Sequence, residues 1–369
     1  MAKLFPNSVR RATAQIGHLF REGIVNIDRH LQPKNEHGIV FCVDDANNGM
    51  SSGLRGYKLA KELRTMGWRT IVIPKQLDLR QRLRIIEQER PTYIYLQQTR
   101  HPLNRPDLYP SYRCILDIDD ADFLDEQHVD YIKSCMVQSF GIIAGSRFIG
   151  NYARVSNGRC EVIWTGAPVT RHTRVTHKLS PPAVVWACSN PEGYLHEANF
   201  VRDVVEMIDS SIDFQFWIIG TRDIFAAKRY LAPLKALGIS CASISFLPYL
   251  KLLVQLRKAA IGLAPLLPQD SPFSAGKSFG KVLAYLDSGL AVIASNNVDH
   301  PLFFKNGVNG YLASDKREWV LAIERLLRDS KARKVIADAG KVDFSRRLST
   351  RSMALRVDKT LRKWLAATA

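Results

Sequence analysis

Short apolar runs alternate with stretches of helical spacing along most of this chain, and after one polar interruption the alternation starts again. That pattern restricts the fold more than any other feature. His37–Val43, Thr70–Ile73, Thr92–Leu96, Cys114–Ile118 and Gly141–Ala144 read as strands. Between them, Gly53–Met66 carries Leu54, Tyr57, Leu59 and Leu63 at helical spacing, with Gly67 placed to stop the helix. Leu79–Glu89 and Glu126–Val137 read as further helices. Short apolar runs alternating with helices imply a parallel sheet covered on both faces.

Trp164–Pro182 is poor in apolar residues, carries Arg171, His172, Arg174, His177 and Lys178, and ends in Pro181-Pro182, the composition of a linker. Beyond it Val184–Cys188, Phe214–Ile219, Ile244–Phe246, Ala260–Ala264 and Ala291–Ala294 repeat the strand pattern. A length of 369 residues suits two domains of about 180 each. The fold class is therefore α/β: two Rossmann-like, doubly wound parallel-sheet domains, 38–165 and 183–345, facing a cleft. A linker at 166–182 joins them, with an amphipathic helical extension at 1–37 and a basic helix at 346–369.

No apolar stretch approaches the ~18 residues needed to span a bilayer, which points to a cytoplasmic or at most peripheral protein. The six cysteines are scattered singly, with no C-x-x-C pair, and most sit in strand-like runs; they read as reduced core residues. A formal net charge of +17 favours anionic partners: nucleotide phosphates, an anionic membrane surface or a nucleic acid. Residues 8–31 place Ile16, Phe20, Ile24, Ile27 and Leu31 at steps of 4, 4, 3 and 4, interleaved with Arg10, Arg11, Arg21 and Arg29. Such a helix could lie on a membrane surface; packing of its apolar stripe on the domain behind it is the favoured expectation.

Ligands of open α/β sheets bind at the carboxyl ends of strands, where helix N-termini present free N–H groups. Three segments there could carry chemistry. Asp44–Arg55 contains Gly49, Ser52 and Gly53, but its glycines have the wrong spacing for a dinucleotide fingerprint, which disfavours a dehydrogenase. Cys114-Ile-Leu-Asp-Ile-Asp-Asp120 ends a strand in acids: Asp119 or Asp120 could act as a general base, or Asp120 could cap the next helix. His101, after the third strand, is a further candidate base. In the third segment a helix starting near Gly276 would hold Lys277 and Lys281 in its first turns. Lysine there opposes the helix dipole by roughly 0.3–1 kcal/mol unless an anion docks beside it. The stretch around Gly276-Lys277-Ser278 lacks the first glycine of a P-loop and contains Pro272, so an ATPase is excluded.

Leu263-Ala-Pro-Leu, Gly276-Lys-x-x-x-Lys281, Tyr285-Leu-x-x-Gly289, Val292-Ile-Ala-Ser295 and Asn306-Gly-Val-Asn-Gly-Tyr-Leu312 together resemble the donor-binding half of family 4-like glycosyltransferases of the two-Rossmann-domain (GT-B) architecture. Gly141–Ile149 and Asp117–Asp120 resemble segments of that family's acceptor domain. The resemblance implies a nucleoside-diphosphate sugar as co-substrate, held mainly by the second domain, and no metal or other cofactor. It places Lys277, Ser278, Phe279, Gly280 and Lys281 at the phosphate-facing turn, with Gly49–Gly53 approaching from the other side. The family's paired glutamates fall on Gly276 and Ala284, which cannot replace them; Asp287, one turn on, is a candidate substitute at the ribose. The expected acceptor is a glycan or lipid-linked polysaccharide at the cytoplasmic membrane face. Transfer to DNA or protein, or a scaffold without turnover, are the alternatives, nucleic acid being the less expected partner.

Overall fold

The computed structural model describes residues 21–33, 35–45, 51–170, 177 and 180–367. By contacts the chain divides into two units. Unit 1 takes the residues up to Ala144, Gly150–Val162 and those from Ala354 onward; unit 2 takes Gly145–Ile149 and Ile163–Met353.

Unit 1 is built on six parallel strands: β1 (Gly38–Cys42), β2 (Arg69–Ile73), β3 (Tyr93–Gln97), β4 (Cys114–Ile118), β5 (Gly141–Ala144) and β6 (Cys160–Val162). Their order is β2-β1-β3-β4-β5-β6. The chain steps outward from β1 to β2 and then returns to the other side of β1, so the topological switch point lies between β1 and β3. The helices are α1 (21–31), α2 (Leu59–Arg64), α3 (Leu79–Glu89), α4 (Val129–Gln138) and α5 (Arg147–Ser156), the last begun in unit 2. A π-helical turn, Ser52–Lys58, leads into α2.

Unit 2 repeats the scheme with β7 (Ala183–Ala187), β8 (Gln215–Thr221), β9 (Ser240–Ser245), β10 (Ile261–Ala264), β11 (Ala291–Ser295) and β12 (Tyr311–Ala313), all parallel, in the order β12-β11-β10-β7-β8-β9. Here the switch point falls between β7 and β10. Its helices are α6 (Leu195–Glu206), α7 (Ile224–Ala236), α8 (Tyr249–Leu256), α9 (Gly280–Ser288), α10 (His300–Phe303), α11 (Lys316–Arg328) and α12 (Ser330–Arg347). The last helix, α13 (Thr350–Ala366), begins in unit 2 and joins unit 1 from Ala354. Trp364 lies against Gly141, Asp358 accepts from the Trp68 indole, and the Leu361 carbonyl accepts from the Tyr93 hydroxyl.

Three expectations need correction. The third strand expected in the second domain, Ile244–Phe246, becomes β9, which starts four residues earlier and is half-exposed at the sheet edge, where a polar sequence suffices. The helix expected from Gly276 starts at Gly280; a 3₁₀ turn, Pro272–Gly276, precedes it. The stripe of α1 does not pack inward. Ile24, Ile27 and Leu31 are 50%, 61% and 80% exposed, whereas Val25 and Glu22 are buried. Ionic and polar contacts hold the helix instead: Glu22 to Arg84 and Gln81, Asp28 to Arg64, and Arg29 to Glu89. Ile16 and Phe20 lie outside the described residues.

Candidate functional site

In unit 2 the switch point brings the start of α9 against the ends of β7 and β10. Tyr285 fixes this: its hydroxyl accepts from the Ala187 N–H (2.6 Å) and donates to the Leu263 carbonyl (3.2 Å), tying α9 to both strands. Its ring lies so close to Gly262 that an added Cβ would stand 2.6 Å from it. Phe279 holds the N-cap position without a side-chain cap and is fully buried against Trp164, His300 and Phe303. Gly280 next to it is exposed, with nothing within 4 Å of where a Cβ would stand. The first turn of α9 is thus open, with its N–H groups lacking a side-chain acceptor.

Lys281 sits in that turn, half-buried, its Nζ 5.4 Å from the Trp186 ring centre and 5.1 Å from that of Tyr194. Burial pulls its pKa below the ordinary lysine value, with Cys188 and Glu197 acting in the other direction. A cation against two aromatic faces at a helix N-terminus is held where a bound anion would relieve both the dipole and the desolvation. Lys277 precedes the helix. Ser278 donates from Oγ to the Gly145 carbonyl (3.1 Å), and its own carbonyl faces His300 Nε2 (3.1 Å). Burial pushes the pKa of His300 down to about 4, so the imidazole is neutral.

Sequence reasoning missed Glu197. It is buried on α6, where Oε1 accepts from Ser274 Oγ in the 3₁₀ turn, and Oε2 has no hydrogen-bond partner. A carboxylate reaching that turn from another helix leaves no local pattern. Asp287 is fully buried with Oδ1 accepting from the Thr170 N–H (2.9 Å) and hydroxyl (3.1 Å). It anchors the start of the linker and has no exposed face for a ribose.

In unit 1 the loops after β1 and β3 meet at the other switch point. Ser52 is buried, accepting from the Asp45 N–H (2.8 Å) and donating to Gln97 Oε1 (2.6 Å). Ser52 and the buried Gly53 therefore build the loop from inside. Gly49 lies outside the described residues. Arg55, from the π-helical turn, makes a buried bidentate pair with Asp117 in β4. Asp119 follows at the strand end, half-buried and accepting from Ser51 Oγ (2.9 and 3.1 Å). Burial raises its pKa to about 7, helped by Asp120 and Asp117 and opposed by Arg55 and the Ser51 hydrogen bond. A carboxyl poised there can exchange a proton near neutrality.

The other candidate bases are engaged. Asp120 pairs with Arg100 (2.6 Å), which also holds Asp122 (2.7 Å), and it does not cap α4, whose N-cap is His128. His101 Nδ1 accepts from the Leu103 N–H (3.1 Å), which leaves Nε2 to donate to the Lys75 carbonyl (2.9 Å). Both nitrogens hold the loop, and burial, with Arg82 close by, lowers the pKa. We predict that His101→Gln keeps turnover within about threefold in a steady-state assay, its effect appearing in the melting temperature instead. Among the described residues no group of three or more His, Cys, Asp or Glu is placed to hold a metal ion.

Residues 185–329, which run from within β7 to just past α11 and include the whole Lys281 turn, match the family model Glycosyl transferases group 1. The match covers less than half of the chain. The whole chain has the GT-B fold of two Rossmann-like domains. HepE from Anabaena, solved with UDP and glucose, is similar at a TM-score of 0.65 and 13% identity, over 89% of this chain and 100% of that one. Sucrose-phosphate synthase from Thermosynechococcus elongatus gives 0.65 and 14%, over 90% and 100%. The lipopolysaccharide outer core galactosyltransferase WaaB, in its apo form, gives 0.63 and 12%, over 90% and 100%. At such identities the likeness is one of fold. No curated protein sequence matches this chain.

Proposed function

We propose that this protein is a glycosyltransferase that moves a sugar from a nucleoside-diphosphate sugar, held by unit 2, to a hydroxyl of a lipid-linked or cell-surface polysaccharide at the cytoplasmic face of the membrane. The observation that carries the donor half is Lys281, held between Trp186 and Tyr194 at the open start of α9. Cations and helix N–H groups can stabilise the charge that develops on a leaving diphosphate, so the reading needs no metal. HepE was solved with UDP and UDP-glucose, which makes UDP the first nucleotide to try. WaaB, whose name places its substrate in lipopolysaccharide, supports the choice of acceptor. In unit 1, Asp119 is the proposed base for the acceptor hydroxyl.

The test is a thermal-shift titration with UDP, GDP, dTDP, ADP and CMP and their sugar conjugates. A ligand at 100 times its Kd adds about 2.7 kcal/mol of stability, a readily measured shift. A selective response to one nucleotide is expected. No response to any of them at saturating concentration would move the protein to the scaffold reading, for which Gly276 and Ala284 are the motive. Lys281→Met sharpens the test by keeping the stem on the two rings while removing the charge. It should weaken nucleotide binding about ten- to a hundredfold, as expected for a charged hydrogen bond. The unliganded melting temperature should not fall, because the fold already disfavours the charged form of this lysine. Equal losses of binding and stability would make Lys281 structural.

A further inference from the structure

Helix α1 is amphipathic in the wrong sense for a helix that belongs only to its own domain. Glu22 and Arg29 face inward with Val25, Asp28 lies half-exposed beside them, and ion pairs to Arg84, Glu89 and Arg64 hold the helix, while Ile24, Ile27 and Leu31 form an outward stripe. Burying charge and exposing isoleucine and leucine is unfavourable in water unless something covers the stripe.

The charges beside it say what. On its flanks α1 meets Arg64 of α2 and Arg84 of α3, and one turn from each contact stands an exposed base, Lys61 and Arg80. Residues three or four apart share a helix face, so each base lies on the same face of its helix as the arginine that meets α1. The acids within α1, Glu22 and Asp28, are each paired with an arginine. Upstream, residues 1–20 contain Lys3, Arg10 and Arg11 and no acid, and Ile16 and Phe20 continue the stripe's spacing. An apolar stripe with a cationic border fits an anionic lipid surface, into which the side chains insert while the bases meet headgroup phosphates. No helix among the described residues is long and apolar enough to cross a membrane, so the attachment would lie in the interface.

We propose that the Ile24, Ile27 and Leu31 face of α1, with Lys61 and Arg80 beside it, seats unit 1 on an anionic bilayer. The proposal rests on the membrane-side acceptor for its biological sense, but its test does not need the transferase reading to hold. The full chain is sedimented with phosphatidylcholine vesicles, with and without phosphatidylglycerol. It should bind the anionic vesicles at least about tenfold more tightly, and lose that preference as salt rises. The triple change Ile24→Asp, Ile27→Asp and Leu31→Asp should cut binding at least about tenfold, with the melting temperature unchanged because the three side chains are exposed. Lys61→Glu with Arg80→Glu should remove most of the preference for phosphatidylglycerol. Wild-type protein that stays in solution with both vesicles, or a triple variant that binds like wild type, overturns the proposal. So does a wild-type dimer, seen by sedimentation velocity, that the triple change splits, since a second copy would then cover the stripe. Nucleotide thermal shifts on the same samples report the transferase reading separately.

Discussion

Asp119→Asn is expected to lower turnover by about a hundredfold or more while leaving donor binding in place, because a positioned base contributes roughly 10²–10⁴ to the rate. The wild-type rate should carry a limb at the pKa of this carboxyl, about 7. The ionised form is the base, so activity rises with pH through that value and levels off above it. Stability runs the other way. The pKa is raised from 3.8, so between about pH 4 and 7 the unfolded chain releases this proton while the folded one retains it. The group therefore costs stability increasingly over that window, and constantly above it. Asn removes the cost: the variant should melt higher than wild type near pH 8, and the difference should vanish toward pH 4. A variant that keeps its turnover and the limb near 7 removes Asp119 from the mechanism. A merely structural residue could lower the rate but would not carry away the limb.

How much of this was legible in the sequence differs from element to element, for physical reasons. β4 and β5 match their expected bounds because both are apolar runs buried on two faces, interrupted in β4 only by Asp117. β9 was misplaced because an edge strand in partial contact with water can be written in serine and alanine, which carry no period. Periodicity identified the residues sharing the stripe of α1 but not the direction that stripe faces. That direction is set by ion pairs to Arg64, Arg84 and Glu89, 36 to 62 residues away. The turn proposed to meet the donor phosphates stands out in the sequence by its glycines and lysines, but its helix start does not, since a 3₁₀ turn and a helix look alike over a few residues. Asp287 illustrates the opposite error. Its spacing puts it near the face of Ala284, yet burial against Thr170 decides its use. His101 and Asp120 have the right residue types, but their hydrogen bonds are spent on the loop and on Arg100.

Arg55 and Asp117 make the largest stability prediction. Both side chains are at most 1% exposed, and two guanidinium nitrogens meet the carboxylate. Arg55→Met removes one charge and strands the other in the sheet, which typically costs about 3–5 kcal/mol. That is a large share of the ~5–15 kcal/mol by which a domain is stable. Urea unfolding followed by a probe in unit 1, such as Trp68, should show a correspondingly lower midpoint. The double change Arg55→Met and Asp117→Leu should recover most of the loss, because the buried pair gains little over packed apolar groups once both desolvation costs are removed. A single variant as stable as wild type would mean that water or another cation reaches Asp117. The pair also bears on the base proposed for the acceptor hydroxyl, since Arg55 holds the pKa of Asp119 down. Arg55→Met should therefore shift the limb of the pH–rate profile upward in whatever fraction remains folded. The double variant should lie closer to wild type, because Asp117 pushes that pKa the other way. A stable fold and a usable base thus depend on the same buried pair, and measuring the midpoint and the limb on the same variants separates the two roles.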